Sequence, residues 1–228
     1  MKHNKIKFLI PPSEWKNSSS SFIWESLTFH FEKPKEIINN TNEKDLKCKW
    51  ENFLNAYNLN KKLFENKLET EYAINRYSWV MYNSISYNEM SKLWKKYFED
   101  NFLIFSWMYW ILMPLDKIWN YKLPIEAKWL ANFWKNKITE KLNSLNTDFL
   151  INFLPISYTK MIDFKKLKAK IINVNFFTQK NWEYKKLSHW VKKVKWEYIN
   201  NICEKWWIDL EDIIKISNNK YEKNLYYK

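Results

Sequence analysis

Two stretches of this chain bring cations, hydroxyls and carboxylates close enough in sequence to do chemistry together. The first is Ile10-Pro11-Pro12-Ser13-Glu14-Trp15-Lys16, directly after an apolar run from Lys5 to Ile10 that reads as a strand. A rigid prolyl turn behind a strand gathers backbone N–H groups and the Lys16 ammonium at one spot, which suits an anion. It is not a P-loop, because the glycines and the Lys-Ser/Thr pair of that motif are missing. The second stretch is Phe105-Ser106-Trp107-Met108-Tyr109-Trp110-Ile111-Leu112-Met113-Pro114-Leu115-Asp116. Here Ser106, Tyr109 and Asp116 supply hydroxyl and carboxylate groups at the carboxyl end of an apolar strand, where open sheets place their ligands. The plainer alternative for both stretches is structural. Single Ser, Tyr and Asp residues more often hold turns than catalyse, and a turn lysine is often only solvated.

A third feature is a lysine field. Eleven lysines lie between Lys160 and Lys195, against only Asp163 and Glu183. Its centre is His189-Trp190-Val191-Lys192-Lys193-Val194-Lys195-Trp196, where i, i+3 spacing puts His189, Lys192 and Lys195 on one helical face. A solvated basic surface is the competing reading. A fourth is Ile202 to Ile214, where Trp206 and Trp207 form a doublet between two helix-like segments. With glycines at 206 and 207 this would be a helix-hairpin-helix, whose backbone amides grip phosphates without reading sequence. Metal chemistry finds no support: His3, His30 and His189 are scattered, and Cys48 and Cys203 are too few for a disulfide framework or a zinc site.

Composition explains why these motifs look distorted. The 228 residues include no glycine and fifteen tryptophans, whereas glycine is ordinarily about 7% of residues. Tryptophans fall where turn chemistry asks for glycine: Trp182 follows Asn181 between two extended runs, and Trp107 and Trp110 flank a tight turn. The expectation is that many are glycine codons, UGA in the lineages that read it so, translated as tryptophan. The net charge of +13 favours a polyanionic partner, although abundant Lys, Asn and Ile with a single arginine, Arg76, also mark an AT-rich genome. No apolar stretch is long enough to span a membrane, and no cleavable leader is visible, so a cytoplasmic location with reduced thiols is expected.

The elements that must position these residues are read from periodicity. Strands are expected at Lys5–Ile10, Phe102–Ser106, Phe149–Phe153, Ala169–Thr178, Tyr184–Leu187 and Tyr221–Tyr227. Helices are expected at Glu43–Leu68, Glu89–Phe98 (capped from Ser86-Tyr87-Asn88), Ala127–Leu145, His189–Cys203 and Leu210–Ile216, with a helical turn near Ser157–Ile162. Ser18–Ser21 reads as a loop. This predicts one α+β (mixed α/β) domain over residues 1–228, a mixed sheet flanked by helices with a helix-hairpin-helix-like element near the C-terminus.

In this order the motifs resemble the YaaA peroxide-stress-resistance family. That family carries Pro-Pro-Ser-Glu-Gly-Lys, matching Pro11 to Lys16, and Ser-Gly-Leu-Tyr-Gly-x-Leu-x-Pro-Leu-Asp, matching Ser106 to Asp116. Its Tyr-Arg-Leu matches Tyr121-Lys122-Leu123 and its Phe-Trp matches Phe133-Trp134, so Trp134 is a true tryptophan. Asn152, Tyr158 and Lys160 match further positions, and Lys-Lys-Ala-Arg-Gly matches Lys192-Lys193-Val194-Lys195-Trp196. Departures are Ser157-Tyr158 for Glu-Tyr and two lysines for arginines, which removes bidentate geometry. The resemblance implies a cytoplasmic protein that lowers free iron and oxidative damage during peroxide stress, with a positively charged cleft that binds double-stranded DNA. On this reading Lys16, Lys122, Lys160, Lys192, Lys193 and Lys195 contact phosphates, and the 206–207 hairpin docks the backbone. The alternative is an enzyme acting on a small phosphorylated or nucleotide-like ligand, with Ser13, Lys16, Ser106, Tyr109, Asp116, Asn152 and Tyr158 around one pocket. Direct iron sequestration ranks third, and no cofactor, metal site, membrane or protein partner is expected. No residue is assigned a catalytic role.

Overall fold

Burial of three short apolar runs sets the architecture. Phe8, Leu9 and Ile10, all five residues of Phe102–Ser106, and Leu150, Ile151 and Asn152 are shielded from solvent, the pattern of parallel strands covered on both faces. The computed structural model describes residues 5–25, 32–64, 68–78, 80–124, 127, 129–180, 183–186, 191–205 and 222–227. In chain order its strands are β1 (Ile6–Ile10), β2 (Phe22–Glu25), β3 (Leu68–Tyr72), β4 (Phe102–Ser106), β5 (Trp110–Leu112), β6 (Lys117–Ile118), β7 (Phe149–Asn152), β8 (Lys170–Lys180), β9 (Glu183–Lys186) and β10 (Glu222–Tyr227). Its helices follow the same order. They are α1 (Glu32–Asn40), α2 (Glu43–Leu46), α3 (Trp50–Lys61), α4 (Ala73–Arg76), α5 (Val80–Asn83), α6 (Lys92–Asn101), α7 (Trp129–Ser144), α8 (Ile156–Thr159) and α9 (Val191–Glu204).

The main sheet runs β10-β8-β7-β1-β4-β5, with β9 also pairing β8. β4, β1, β7 and β8 are parallel, while β5, β9 and β10 run antiparallel to their neighbours. From β1 the chain passes to β4 on one side and returns to β7 on the other. β1 is therefore a switch point, and the carboxyl ends at Ile10, Ser106 and Asn152 face one crevice edge. A second sheet, β2-β3-β6, stands apart. Rings stitch strands to helices: Phe102 stacks on Phe8 at 4.6 Å and on Phe98 of α6 at 4.4 Å. The mixed sheet flanked by helices agrees with the α+β expectation.

Local chemistry moved several boundaries. The helix expected over Glu43–Leu68 is three pieces. Asn42 and Asp45 form a reciprocal capping box, α2 ends on Lys47 at φ 50°, α3 restarts at Trp50, and β3 takes over at Leu68. Caps and a left-handed residue outweighed the apolar period. Similarly, the helix expected from Glu89 begins at Lys92, because Ser91 Oγ accepts from the Trp94 N–H at 3.3 Å while Tyr87–Glu89 closes a 3-10 turn. Strands β2, β3, β5 and β6 fall outside the expected strands; β3 is disguised because Leu68–Tyr72 carries Glu69, Thr70 and Glu71 in a half-polar run. β8 pairs β9 through Lys180 and Glu183. The residues between them, 181–182, and the segment 206–221 containing the anticipated hairpin lie outside the described residues.

Candidate functional site

The turn after β1 is clamped, not loose. Pro11 accepts from the Tyr82 hydroxyl at 2.9 Å, and Ser13 Oγ accepts from the Trp15 N–H at 3.2 Å. Lys16 forms an antiparallel bridge with Tyr77, supported by Asn17 N–H donating to Arg76 O and Ser78 N–H to Trp15 O. Arg76 stands behind this bridge. Its two terminal nitrogens donate to Asn17 O, Ser19 O, Ser20 Oγ and Glu69 O, so the one arginine of the chain fastens the loop 17–20 to β3. It is fully buried.

This clamp turns the Lys16 ammonium inward. Nζ lies 4.0 Å from the centre of the Tyr121 ring and 5.7 Å from that of Tyr77, within the range of cation–π attraction. It donates to the carbonyls of Glu14 at 3.1 Å and Ser13 at 3.4 Å. The stem is half-exposed while the charged end sits among protein atoms. That desolvation, reinforced by the Lys122 and Arg76 charges and opposed by Glu14, brings its pKa down to about 7. Lys16 is thus an amine poised between its two protonation states near neutrality.

Beneath it runs a buried hydroxyl chain. Tyr77 and Tyr121 share a hydrogen bond at 2.9 Å, Tyr121 and Ser106 share one at 3.0 Å, and Ser106 Oγ accepts from the Tyr109 N–H at 3.1 Å. Burial raises the Tyr121 hydroxyl to about 12 and lifts Tyr77, Tyr82 and Tyr109 well above the usual tyrosine value. These hydroxyls remain protonated donors at neutral pH. Tyr121 is held in place by Asn60, whose side-chain amide both donates to Lys122 O and accepts from the Lys122 N–H at 2.8 Å.

The structure thus brings Ser13, Lys16, Ser106 and Tyr109 together around Tyr121. The Tyr109 hydroxyl itself points away and donates to Trp119 O at 3.2 Å. Asp116 stands apart: Oδ2 accepts from the Met113 N–H at 2.7 Å and organises the turn before β6. Asn152 ends β7, accepts from the Leu154 N–H and donates to Asn173. Tyr158 of α8 is buried with its ring 4.9 Å from that of Trp107. Lys195 of α9 donates to Phe153 O at 2.8 Å, just beyond the end of β7. Lys122 and Lys160 are exposed. Lys192 and Lys193 lie in α9, Trp206 and Trp207 outside the described residues. Sequence reasoning missed Tyr77, Tyr82, Arg76, Asn60 and Tyr121 as site residues. The available signals were Arg76 as the sole arginine in a lysine-rich chain and Tyr121 in the Tyr-Lys-Leu match.

Among the described residues, no three His, Cys, Asp or Glu side chains converge as metal ligands, and no helix is long and apolar enough to cross a membrane. The site can therefore offer a cation, a donor chain and backbone carbonyls at the carboxyl edge of a switch-point sheet. Fold and site define an α+β protein of open-sheet type with a cationic crevice edge. The family description "Peroxide stress protein YaaA" matches residues 6–225, and the chain belongs to that family. It is 29% identical over 238 residues to a UPF0246 protein of Fusobacterium nucleatum, covering 96% of this chain and 94% of that one. Similarity to a UPF0246 protein of Rickettsia bellii is 30% over 168 residues, covering 69% and 67%, and to one of Francisella philomiragia 28% over 169 residues, covering 70% and 66%.

Proposed function

We propose that this chain is a cytoplasmic peroxide-stress protein that binds double-stranded DNA without reading sequence and limits iron-dependent oxidative damage to it. The observation that carries this reading is the coincidence of a +13 chain with lysines on the segments that follow the parallel strands. Lys16 follows β1, Lys160 follows β7 and α8, and Lys195 reaches back to Phe153. Each phosphate neutralised releases counterions, so affinity falls steeply with salt whatever the base sequence. In the same proposal, Lys192 and Lys193 add contacts along α9, and a hairpin with glycines in place of Trp206 and Trp207 grips the backbone. The test is a salt titration of duplex binding, with Lys192→Ala/Lys193→Ala beside the parent. Six lysine–phosphate contacts correspond to a log–log slope of about −5. An affinity unchanged between low and moderate salt would refute it.

A second reading, an enzyme or binder for a small phosphorylated ligand, is favoured by one observation. The Tyr77–Tyr121–Ser106 hydroxyl chain lies under an inward ammonium, an arrangement that duplex binding alone does not require. Thermal stabilisation by a nucleotide but not by duplex separates the two.

A further inference from the structure

We infer that the native polypeptide carries glycine at 107, 110 and 196, and that the space filled by the indoles of Trp107 and Trp196 is a pocket for a small phosphate-bearing molecule anchored on Lys16. The inference deepens the second reading above and rests on it.

Among the described residues, tryptophans with a satisfied indole contrast with others that are orphaned or strained. Trp119, Trp129 and Trp134 donate their indole N–H to Leu59 O, Asp45 and Trp107 O at 3.0, 3.1 and 2.6 Å. Trp107 and Trp196, 2% and 1% exposed, bury an indole N–H that has no acceptor. Native cores avoid such orphaned donors. Trp110 meanwhile sits at φ 63°, and Trp50 at φ 55° with its side chain 82% exposed. A bulky residue in the left-handed region is a steric outlier, whereas glycine enters it freely. Among the described residues with positive φ, two of five are tryptophan, in a chain without glycine.

The orphaned indoles sit at the chemical edge of the sheet. Trp107 directly follows Ser106 at the end of β4 and packs on Tyr158. Trp196 lies 5.8 Å from Tyr82, which contacts Tyr77 at 5.3 Å and holds Pro11 at the end of β1. Replacing both indoles by hydrogen uncovers the faces of Tyr158 and Tyr82 beside the Lys16–Tyr121–Ser106 cluster. A buried ammonium whose acceptors are two carbonyls, flanked by protonated hydroxyls, is matched by a phosphate, for which lysine acts as a point charge. The depressed pKa of Lys16 accords with a cation awaiting its counter-charge.

Peptide mass spectrometry of the protein from its source cells is expected to show glycine at 107, 110 and 196 and tryptophan at 134. Recombinant chains then test the pocket. A Trp107→Gly/Trp110→Gly/Trp196→Gly chain should fold and bind inorganic pyrophosphate and AMP in calorimetry, while the chain with tryptophans does not. Adding Lys16→Gln should weaken that binding at least tenfold, whereas Lys192→Ala/Lys193→Ala should leave it within twofold. Binding of pyrophosphate but not AMP would assign the site to free phosphates; the converse would assign it to phosphate esters. Indole masses at 107 and 196, or failure of the triple-glycine chain to fold, would overturn the glycine assignment and the pocket together. Glycine masses with no Lys16-dependent binding would overturn the pocket alone. If Lys16→Gln keeps duplex affinity within twofold while abolishing pyrophosphate binding, the pocket and the duplex surface are separate.

Discussion

Replacing Trp110 and Trp134 by glycine, one at a time, contrasts a residue in the wrong conformation with one in the right place. Trp110 sits at φ 63°, a conformation that costs a non-glycine residue about 1–2 kcal/mol. Glycine recovers that amount. Against it stand the lost half-burial and the ring contact with Trp134 at 6.3 Å, together about 1–2 kcal/mol. Glycine's extra freedom in the unfolded chain costs about 0.5–1 kcal/mol more. The terms nearly cancel. Trp134 offers no such compensation. It is 2% exposed, meets Phe133 edge-on at 4.9 Å, and donates to Trp107 O from the interior of α7. Truncating a core tryptophan costs about 3–5 kcal/mol, and glycine within a helix adds about 1 kcal/mol. At about 2–4 °C per kcal/mol for a domain of this size, Trp134→Gly should lower the unfolding midpoint by about 8–24 °C. Trp110→Gly, at a mid-range net loss of about 0.75 kcal/mol, should lower it by about 1.5–3 °C. Differential scanning calorimetry of both variants measures the contrast. Equal losses would show that the indole at 110 is native packing and that the backbone argument fails.

Three further outcomes follow from the same geometry. Asn60→Leu should leave the N–H and C=O of Lys122 without partners, at about 1–3 kcal/mol each, and speed amide exchange at Lys122; unchanged exchange would show that Asn60 does not hold the Tyr121 segment. Arg76→Lys cannot reproduce a fork with four acceptors, so urea unfolding should register a loss of about 1.5–3 kcal/mol for each bond forgone; an unchanged midpoint would contradict this. Lys16 binds a proton less readily in the folded chain than in the unfolded one. Between about pH 7 and the ordinary lysine value the unfolded state therefore holds the extra proton, and stability rises with pH across that window. Lys16→Met should flatten the rise, and a parallel pH profile for parent and variant would exclude the buried amine.

Legibility of the fold tracked how local the determining interactions were. β1, β4 and β7 were readable because strands covered on both faces need unbroken apolar residues, as in Phe102–Phe105, and α7 because its apolar period is long. The division of Glu43–Leu68 was not, since the Asn42–Asp45 capping box and the left-handed Lys47 compete with a period that continues past them. The small sheet was hidden by the polar pair Glu69 and Glu71: Glu69 is exposed and Arg76 binds only its backbone carbonyl, while the burial of Glu71 depends on a partner far along the chain, Ser21 Oγ, which donates to its carboxylate. Of the site, the sequence flagged Ser13, Lys16, Ser106 and Tyr109 from their place at strand ends. It also grouped Asp116 and Asn152 with them, which backbone turn chemistry engages elsewhere.

By itself, then, the order of residues determined the family, the strand–turn–lysine opening, the missing glycines and the strong positive charge, all properties of composition and near neighbours. Which way Lys16 points was decided only in three dimensions. Its ammonium turns inward because Tyr77, Arg76 and Tyr121, sixty to more than a hundred residues away in sequence, close around the turn. Desolvation and hydrogen bonding act through space, and no local pattern encodes which distant hydroxyl will lie beneath a given amine.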